Sequence, residues 1–445
     1  MFYWIISLGL IMYSAVKKIY IGYTLTVVLL IFCGVCLKNG KTYADLKLYF
    51  DDGIKKGLIV SKMLIFIAIN TSMWMASGCI ATLLFYSTKV IIPSLFLPIC
   101  FLICGAFSLL LGSAFATAAT IGVIVYIIGC AGGANPAMVA GAVISGIYVG
   151  DRASPISSSL VLLATVNEVE HSDAVAMSIK TMVAPIVITA LAFAPFSLAN
   201  PISITGLSQF ETLKASFNIS VIAVLPAVAL LVACAFKAKI KSCLIISIAV
   251  AIPIAMFSQG LNVMDIVIYA LKGFVLPEAD PLYKIVRGGG IIPMMKTIYI
   301  LLVSCSLAAV IQMGGVLSPK IETYLSAPTK RVAIYIKSCV VGLLTTAIGS
   351  NQTVSIVMTS QLMENSYKNS GFSNMHRTQD ISFASVLLSV IPPWSLTVVV
   401  PLASIQHSGY DYMPFLFFIF IAPLYNLLIR LKESKNTSDF ANEPV

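Results

Sequence analysis

The chain has 445 residues, of which 59% are hydrophobic and only 10% charged, and its mean hydropathy is +0.97. So little polar surface excludes a soluble enzyme, a nucleic-acid binder, a disordered chain and a secreted disulfide scaffold. Aromatic residues at 10%, without apolar–polar alternation, exclude an outer-membrane barrel, and the net charge of +10 reads as basic cytoplasmic loops.

A helix crossing about 30 Å of hydrocarbon takes roughly 20 apolar residues, so about a dozen spans fit. The expected fold class is an all-α polytopic membrane protein. Residues 1–57 hold two N-terminal helices and a basic loop, 58–199 a first transport repeat, 200–292 linking helices, 293–431 a second repeat and 432–445 a polar tail. No basic residue precedes the first apolar run and no small-residue cleavage site stands before Lys17, so residues 2–16 read as a membrane helix and not a leader. Basic residues concentrate between Lys38 and Lys62, at Lys237, Lys239 and Lys241, and at Arg430, Lys432 and Lys435. The positive-inside rule places all three groups in the cytoplasm, with the N-terminus inside and an even number of spans.

The ten cysteines lie mostly inside apolar runs. Cys33 and Cys36 have CxxC spacing, but no histidine is near, so they read as small apolar fillers. Landmarks recur at one interval: Gly78 and Gly315, Gly112 and Gly349, and Pro155 and Pro392 are each 237 apart (315 − 78, 349 − 112, 392 − 155). That interval predicts two structural repeats with broken helices, a frequent plan among secondary transporters.

Charged groups at membrane depth are costly, so each is a functional candidate. Asp151 stands in Gly150-Asp-Arg152-Ala-Ser154-Pro155-Ile-Ser157-Ser158-Ser159. Gly150 and Pro155 free backbone groups there, and the serines add oxygens suited to a small hard cation. A half-helix starting after Pro155 would instead draw an anion, and a solvated Asp151–Arg152 pair in a short loop is the plainer alternative. Ser350-Asn351-Gln352-Thr353 forms a polar island that either coordinates or simply bonds neighbouring helices. Asp380 opens the next helix, where an N-cap role competes with a functional one. Pro392-Pro393-Trp394-Ser395 breaks that helix, and Trp394 would sit in an interface belt or wall a site. Asp265 and Asp411 read as interfacial, and His171, His376 and His407 have no metal-ligand spacing. The chain carries neither HExxH nor GxSxG, so an intramembrane enzyme is not expected.

These stretches resemble the NhaC family of sodium/proton antiporters. Trp74-Met-Ala-Ser-Gly78, Pro93-Ser-Leu-Phe-Leu-Pro98, Val139 to Gly146 leading into Gly150-Asp-Arg-Ala-Ser-Pro155, Ser350-Asn-Gln-Thr-Val-Ser, Arg377-Thr378 before an acid, and Ile-Pro-Pro-Trp394 fall in the family's order from about Asp52 to Arg430. The resemblance implies a secondary transporter with ion and substrate at broken helices. Departures accompany it. Ser157-Ser158-Ser159-Leu160-Val161 stands where the family reads Ser-Asp-Thr-Thr-Asn and so lacks its acid and amide, and Asn351 stands where it has Asp. Only Asp380 remains of an acidic pair, Ser395 replaces Asn, and Gly112-Ser-Ala-Phe-Ala-Thr117 replaces Gly-Thr-Ser-Trp-Gly-Thr. Neutral oxygens alone hold a cation weakly in a low dielectric, which throws the task onto Asp151, with Asp380 as the second titratable group.

The function expected is Na+/H+ antiport by alternating access. Asp151 would be the shared carboxylate, helped by Ser154, Ser157, Ser158, Thr117, Asn351, Gln352, Thr353, Asp380, Trp394 and Ser395. The alternative is transport of a small organic acid or amino acid, its carboxylate held by Arg152. No cofactor is expected beyond transported Na+ and H+. The partners are the bilayer of a prokaryotic cytoplasmic membrane and a small cation or organic solute, with no nucleic acid and a homodimer left open.

Overall fold

A computed structural model describes residues 2–440 apart from 18, 88–91, 203–216, 237, 239, 277–286 and 315–326. Gly315, Lys237 and Lys239 therefore lie outside the described residues. The described residues are mostly helical: α1 (Phe2–Val16), α2 (Ile21–Lys38), α3 (Tyr43–Ala76), α4 (Cys79–Ser87), α5 (Phe96–Leu111), α6 (Ala114–Ala131), α7 (Pro136–Ala153), α8 (Ser158–Val166) and α9 (His171–Ala199). Then follow α10 (Leu225–Ala235), α11 (Ile240–Ser258), α12 (Val263–Lys272), α13 (Ile291–Met313), α14 (Arg331–Gly349), α15 (Gln352–Asn369), α16 (Asn374–Ile381), α17 (Leu396–Ile405) and α18 (Phe417–Phe440). A two-residue antiparallel ladder joins β1 (Phe274–Val275) to β2 (Arg287–Gly288). Among the described residues seven helices are long and apolar enough to cross a membrane, and three more apolar helices are shorter.

The segment read as a basic loop is helical from Tyr43 onward. Thr42 and Asp45 form a reciprocal capping box that starts α3 four residues after α2 ends, so the lysines from Lys47 to Lys62 ride on the first half of a 34-residue helix. Seven of the nine cysteines among the described residues are buried.

Two helical hairpins and two broken helices organise the rest. α5 ends on Gly112 at φ 63°, and Ser113 restarts the chain by accepting the Ala116 amide at 3.3 Å. α6 then runs back along α5, close enough that a Cβ on Gly129 would lie 2.6 Å from the Phe96 ring. In the second hairpin α14 ends on Ser350 at φ 49° and Asn351 caps α15 through the Thr353 amide at 2.9 Å. Its legs are tied by Thr345 Oγ1, 3.0 Å from Ser355 Oγ and 2.8 Å from Thr359 Oγ1. α7 breaks at Ser154-Pro155-Ile156, and Ser157 caps α8. α16 runs on as a π-helix (Ser382–Leu387) and a 3-10 turn (Leu388–Val390), breaks, and restarts as α17 under the Ser395 cap.

The helix starts fix the register of the two halves. Ser113 and Asn351, Asn135 and Ser373, and Ser157 and Ser395 are paired N-caps, each 238 apart (351 − 113, 373 − 135, 395 − 157). The interval is one more than the glycine and proline landmarks give, because Ser350 and not Gly349 occupies the left-handed position that Gly112 holds in the first half.

Glycine allows the close contacts that hold this frame. A Cβ on Gly150 would lie 2.0 Å from the Ser108 carbonyl carbon, and one on Gly146 2.6 Å from Cys104 Cβ, so α7 lies directly on the backbone of α5. Gly342 gives the π-helix the same approach, with a Cβ there only 2.5 Å from the Ala384 oxygen.

Candidate functional site

Asp151, in the last turn of α7, is 5% exposed. Its carboxylate lies where the tips of both hairpins meet. Gln352, first residue of α15, donates from Nε2 to Oδ2 at 2.7 Å, and the backbone N–H of Ala114, first residue of α6, faces the same carboxylate. Ala114 and Gln352 are counterparts at the same 238 interval (352 − 114), so the carboxylate receives two helix N-termini, each favourable to negative charge. Ser159 in the first turn of α8 donates to Oδ2 at 3.1 Å, and Gln352 Nε2 lies 3.1 Å from the same hydroxyl. Ser157 closes the break by donating to the Asp151 backbone oxygen at 2.5 Å. Among the described residues no lysine, arginine or histidine forms an ion pair with Asp151. The arrangement is a buried carboxylate held by neutral, replaceable donors, which suits a group that takes up and releases a cation.

Arg152 does not pair with its neighbour. It is 1% exposed and its guanidinium reaches the other way, with Nε donating to Ser382 Oγ at 3.1 Å and an Nη to Thr181 Oγ1 at 2.9 Å. Its Cζ sits 3.8 Å above the Phe383 ring. The expectation of a solvated Asp151–Arg152 pair is overturned: both side chains are buried and they face different elements.

Asp380 is also removed from Asp151. Ser373 caps α16, so Asp380 stands in the last turn of that helix and does not open it. It is fully buried, clamped by both Nη atoms of Arg331, by Arg430 at 3.2 Å and by the Tyr367 hydroxyl at 2.7 Å. Glu433 accepts twice from Arg430 at 2.9 Å and completes a cluster joining α14, α16 and α18.

The remaining expected residues are spread around the frame. Ser154 donates to the Leu109 carbonyl at 2.7 Å and ties the break to α5, and Thr117 donates to Ser113 O at 2.8 Å. Asn351 and Ser395 act as caps, while Ser158 and Thr353 are exposed. Trp394 donates to Ala347 O at 2.9 Å and packs with Leu25, Phe32 and Leu307, and Trp74 donates to Ser247 Oγ at 2.8 Å. Ser159 and the Ala114 amide were not singled out. The Gly112-Ser113 helix start signals the second, whereas nothing in the sequence sets Ser159 above Ser157 and Ser158.

The tip of the second hairpin also touches the second break, since Leu396 N–H donates to Ser350 O at 2.8 Å. Beyond that break lies a cavity of about 760 Å³ lined in part by Tyr20, Lys296, Pro393, Val399, His407 and Asp411. A neighbouring one of about 420 Å³ shares Pro293, Thr297 and His407 with it. His407 at the mouth bonds Tyr126 Oη through Nδ1 at 3.0 Å and Asp411 through Nε2 at 2.9 Å.

Comparison with known proteins places this geometry. The "Malate-2H(+)/Na(+)-lactate antiporter" of Bacillus subtilis is 26% identical over 391 residues, 87% of this chain and 84% of that protein. The "Na(+)/H(+) antiporter NhaC" of Alkalihalophilus pseudofirmus is 29% identical over 393 residues, 86% of this chain and 84% of its own length. An arginine/ornithine antiporter of Halobacterium salinarum is 29% identical over 172 residues, only 37% of this chain and 35% of that protein. The profile of the Na+/H+ antiporter family spans residues 146–431, from the turn of α7 that leads into Asp151 through both breaks and the second hairpin. With its acid-bearing break and its second hairpin inside that span, the chain belongs to the Na+/H+ antiporter family.

Proposed function

We propose that the chain exchanges Na+ for H+ across the cell membrane by alternating access, with Asp151 as the carboxylate that both ions use in turn. The observation that carries this reading is the buried Asp151 carboxylate, free of any ion pair among the described residues and met at the tips of both hairpins. In the proton-loaded form the acid keeps its neutral partners. In the sodium-loaded form Ser159 Oγ turns its lone pairs to the ion, and Gln352, rotated about its last torsion, offers Oε1 in place of Nε2. A carboxylate supplies the charge that neutral oxygens lack in a low dielectric. Transport of an organic acid gains no support at Arg152. That guanidinium is engaged by Ser382, Thr181 and Phe383 and lines neither large cavity.

Sealed liposomes holding the purified protein and a trapped pH dye test the proposal. A Na+ pulse is expected to drive proton movement in the wild type and none in Asp151→Asn. Silence of the wild type toward Na+, Li+ and K+ alike, or full activity of Asp151→Asn, would refute it.

A further inference from the structure

Two carboxylates are buried among the described residues, Asp151 and Asp380, and their surroundings are opposite. Asp380 accepts from two guanidiniums and a phenol. Its charge is matched by Arg331 and Arg430, which would otherwise face each other in a buried pocket with one shared glutamate among the described residues. Asp151 meets only neutral donors, and its charge is the one that an arriving ion can cancel. The other titratable groups at this place do not touch its carboxylate. Tyr148 donates its hydroxyl to Thr397 O, and His171 Nε2 lies 2.8 Å from Pro155 O on the outer side of the break. Arg152 contributes a fixed positive charge that no carboxylate neutralises among the described residues and that is the same whichever ion is aboard.

We infer that the exchange is one proton for one sodium ion and moves no net charge; the inference rests on the antiport reading above. One carboxylate accepts either H+ on an oxygen or Na+ between oxygens. Both loaded forms then carry the same total charge, and each half of the cycle returns the other's. A second proton per turnover would need a second buried acid free to give it up, and the other buried acid among the described residues, Asp380, is held by its arginines. The membrane potential acts only on transferred charge, so the Na+ and pH gradients alone set the direction of exchange.

The null point of the wild-type protein tests this. Liposomes with equal K+ on both sides and valinomycin are given a fixed tenfold Na+ gradient, and the opposing pH difference at which net proton flux vanishes is measured. One-for-one exchange balances at one pH unit, because each unit is a tenfold proton ratio. An imposed K+ diffusion potential is expected to leave that balance where it is. Balance at half a unit, or a null point that moves with the potential, would overturn the inference while leaving antiport intact. No Na+-driven flux at any gradient would overturn the antiport reading itself.

Discussion

Replacing Asp380 by asparagine is expected to destabilise the folded protein without removing the ion exchange from the molecules that remain folded. The carboxylate is fully buried and neutralises Arg331 and Arg430, whose side chains are only 8% and 3% exposed. After the substitution those guanidiniums share, among the described residues, only Glu433, which is 45% exposed and stands 2.9 Å from Arg430 and 3.7 Å from Arg331. Stripping one partner from a buried ion cluster costs about 3–5 kcal/mol. That is a large fraction of the roughly 5–15 kcal/mol that separates folded from unfolded chains. Thermal unfolding in detergent, followed by loss of the monodisperse peak, should show a lower midpoint and a lower yield. The double variant Asp380→Asn/Arg331→Gln removes one stranded cation and is expected to be more stable than the sum of the two single variants, with a coupling of about 0.5–3 kcal/mol. An Asp380→Asn protein that melts like the wild type but has lost proton exchange would refute this reasoning and make Asp380 a proton carrier.

Other expectations follow from the same geometry. Gln352→Ala deletes a hydrogen bond to an ionised group worth about 1.5–3 kcal/mol, so protons compete better for Asp151 and apparent Na+ affinity at neutral pH falls about ten- to a hundredfold in a dye-response titration. Because one carboxylate serves both ions, raising the pH should tighten apparent Na+ affinity, by up to about tenfold per unit while the proton form dominates. Na+ half-saturation measured across pH checks this, and independence of pH would count against a shared site. Gly150→Ala places a Cβ 2.0 Å from the Ser108 backbone, so α7 must leave α5. Overpacking of this kind costs about 1–3 kcal/mol or more, and both yield and exchange should drop, whereas Gly371→Ala, with no neighbour within 4 Å, loses only its preference for φ 73°.

The positions of the breaks were legible because their chemistry is local. Gly112 before Ser113, and Pro155 between Ser154 and Ser157, announce a helix end and a cap from adjacent residues. The register slipped by one where Ser350 adopts a left-handed backbone, a conformation that sequence assigns to glycine. Asp151 stood out as a lone acid in apolar surroundings. Its partners did not, since Gln352 is 201 residues away and only the meeting of two hairpins brings it close. The same distance in sequence hid the clamp on Asp380, whose arginines lie 49 and 50 residues off, and it left Arg152 looking like the natural mate of its neighbour. Helical phase separates those two side chains, because residues i and i+1 leave a helix about 100° apart.

The tip of the second hairpin holds both halves of the protein at once. Within three residues it gives Ser350 O to the Leu396 amide of its own half and Gln352 Nε2 to the Asp151 carboxylate of the other. Withdrawing that tip parts both bonds together, so neither break can be unlatched alone. That tip joins the Arg152–Ser382, Tyr148–Thr397 and Tyr126–His407 bonds in tying the two sides, and it reaches both breaks within three residues.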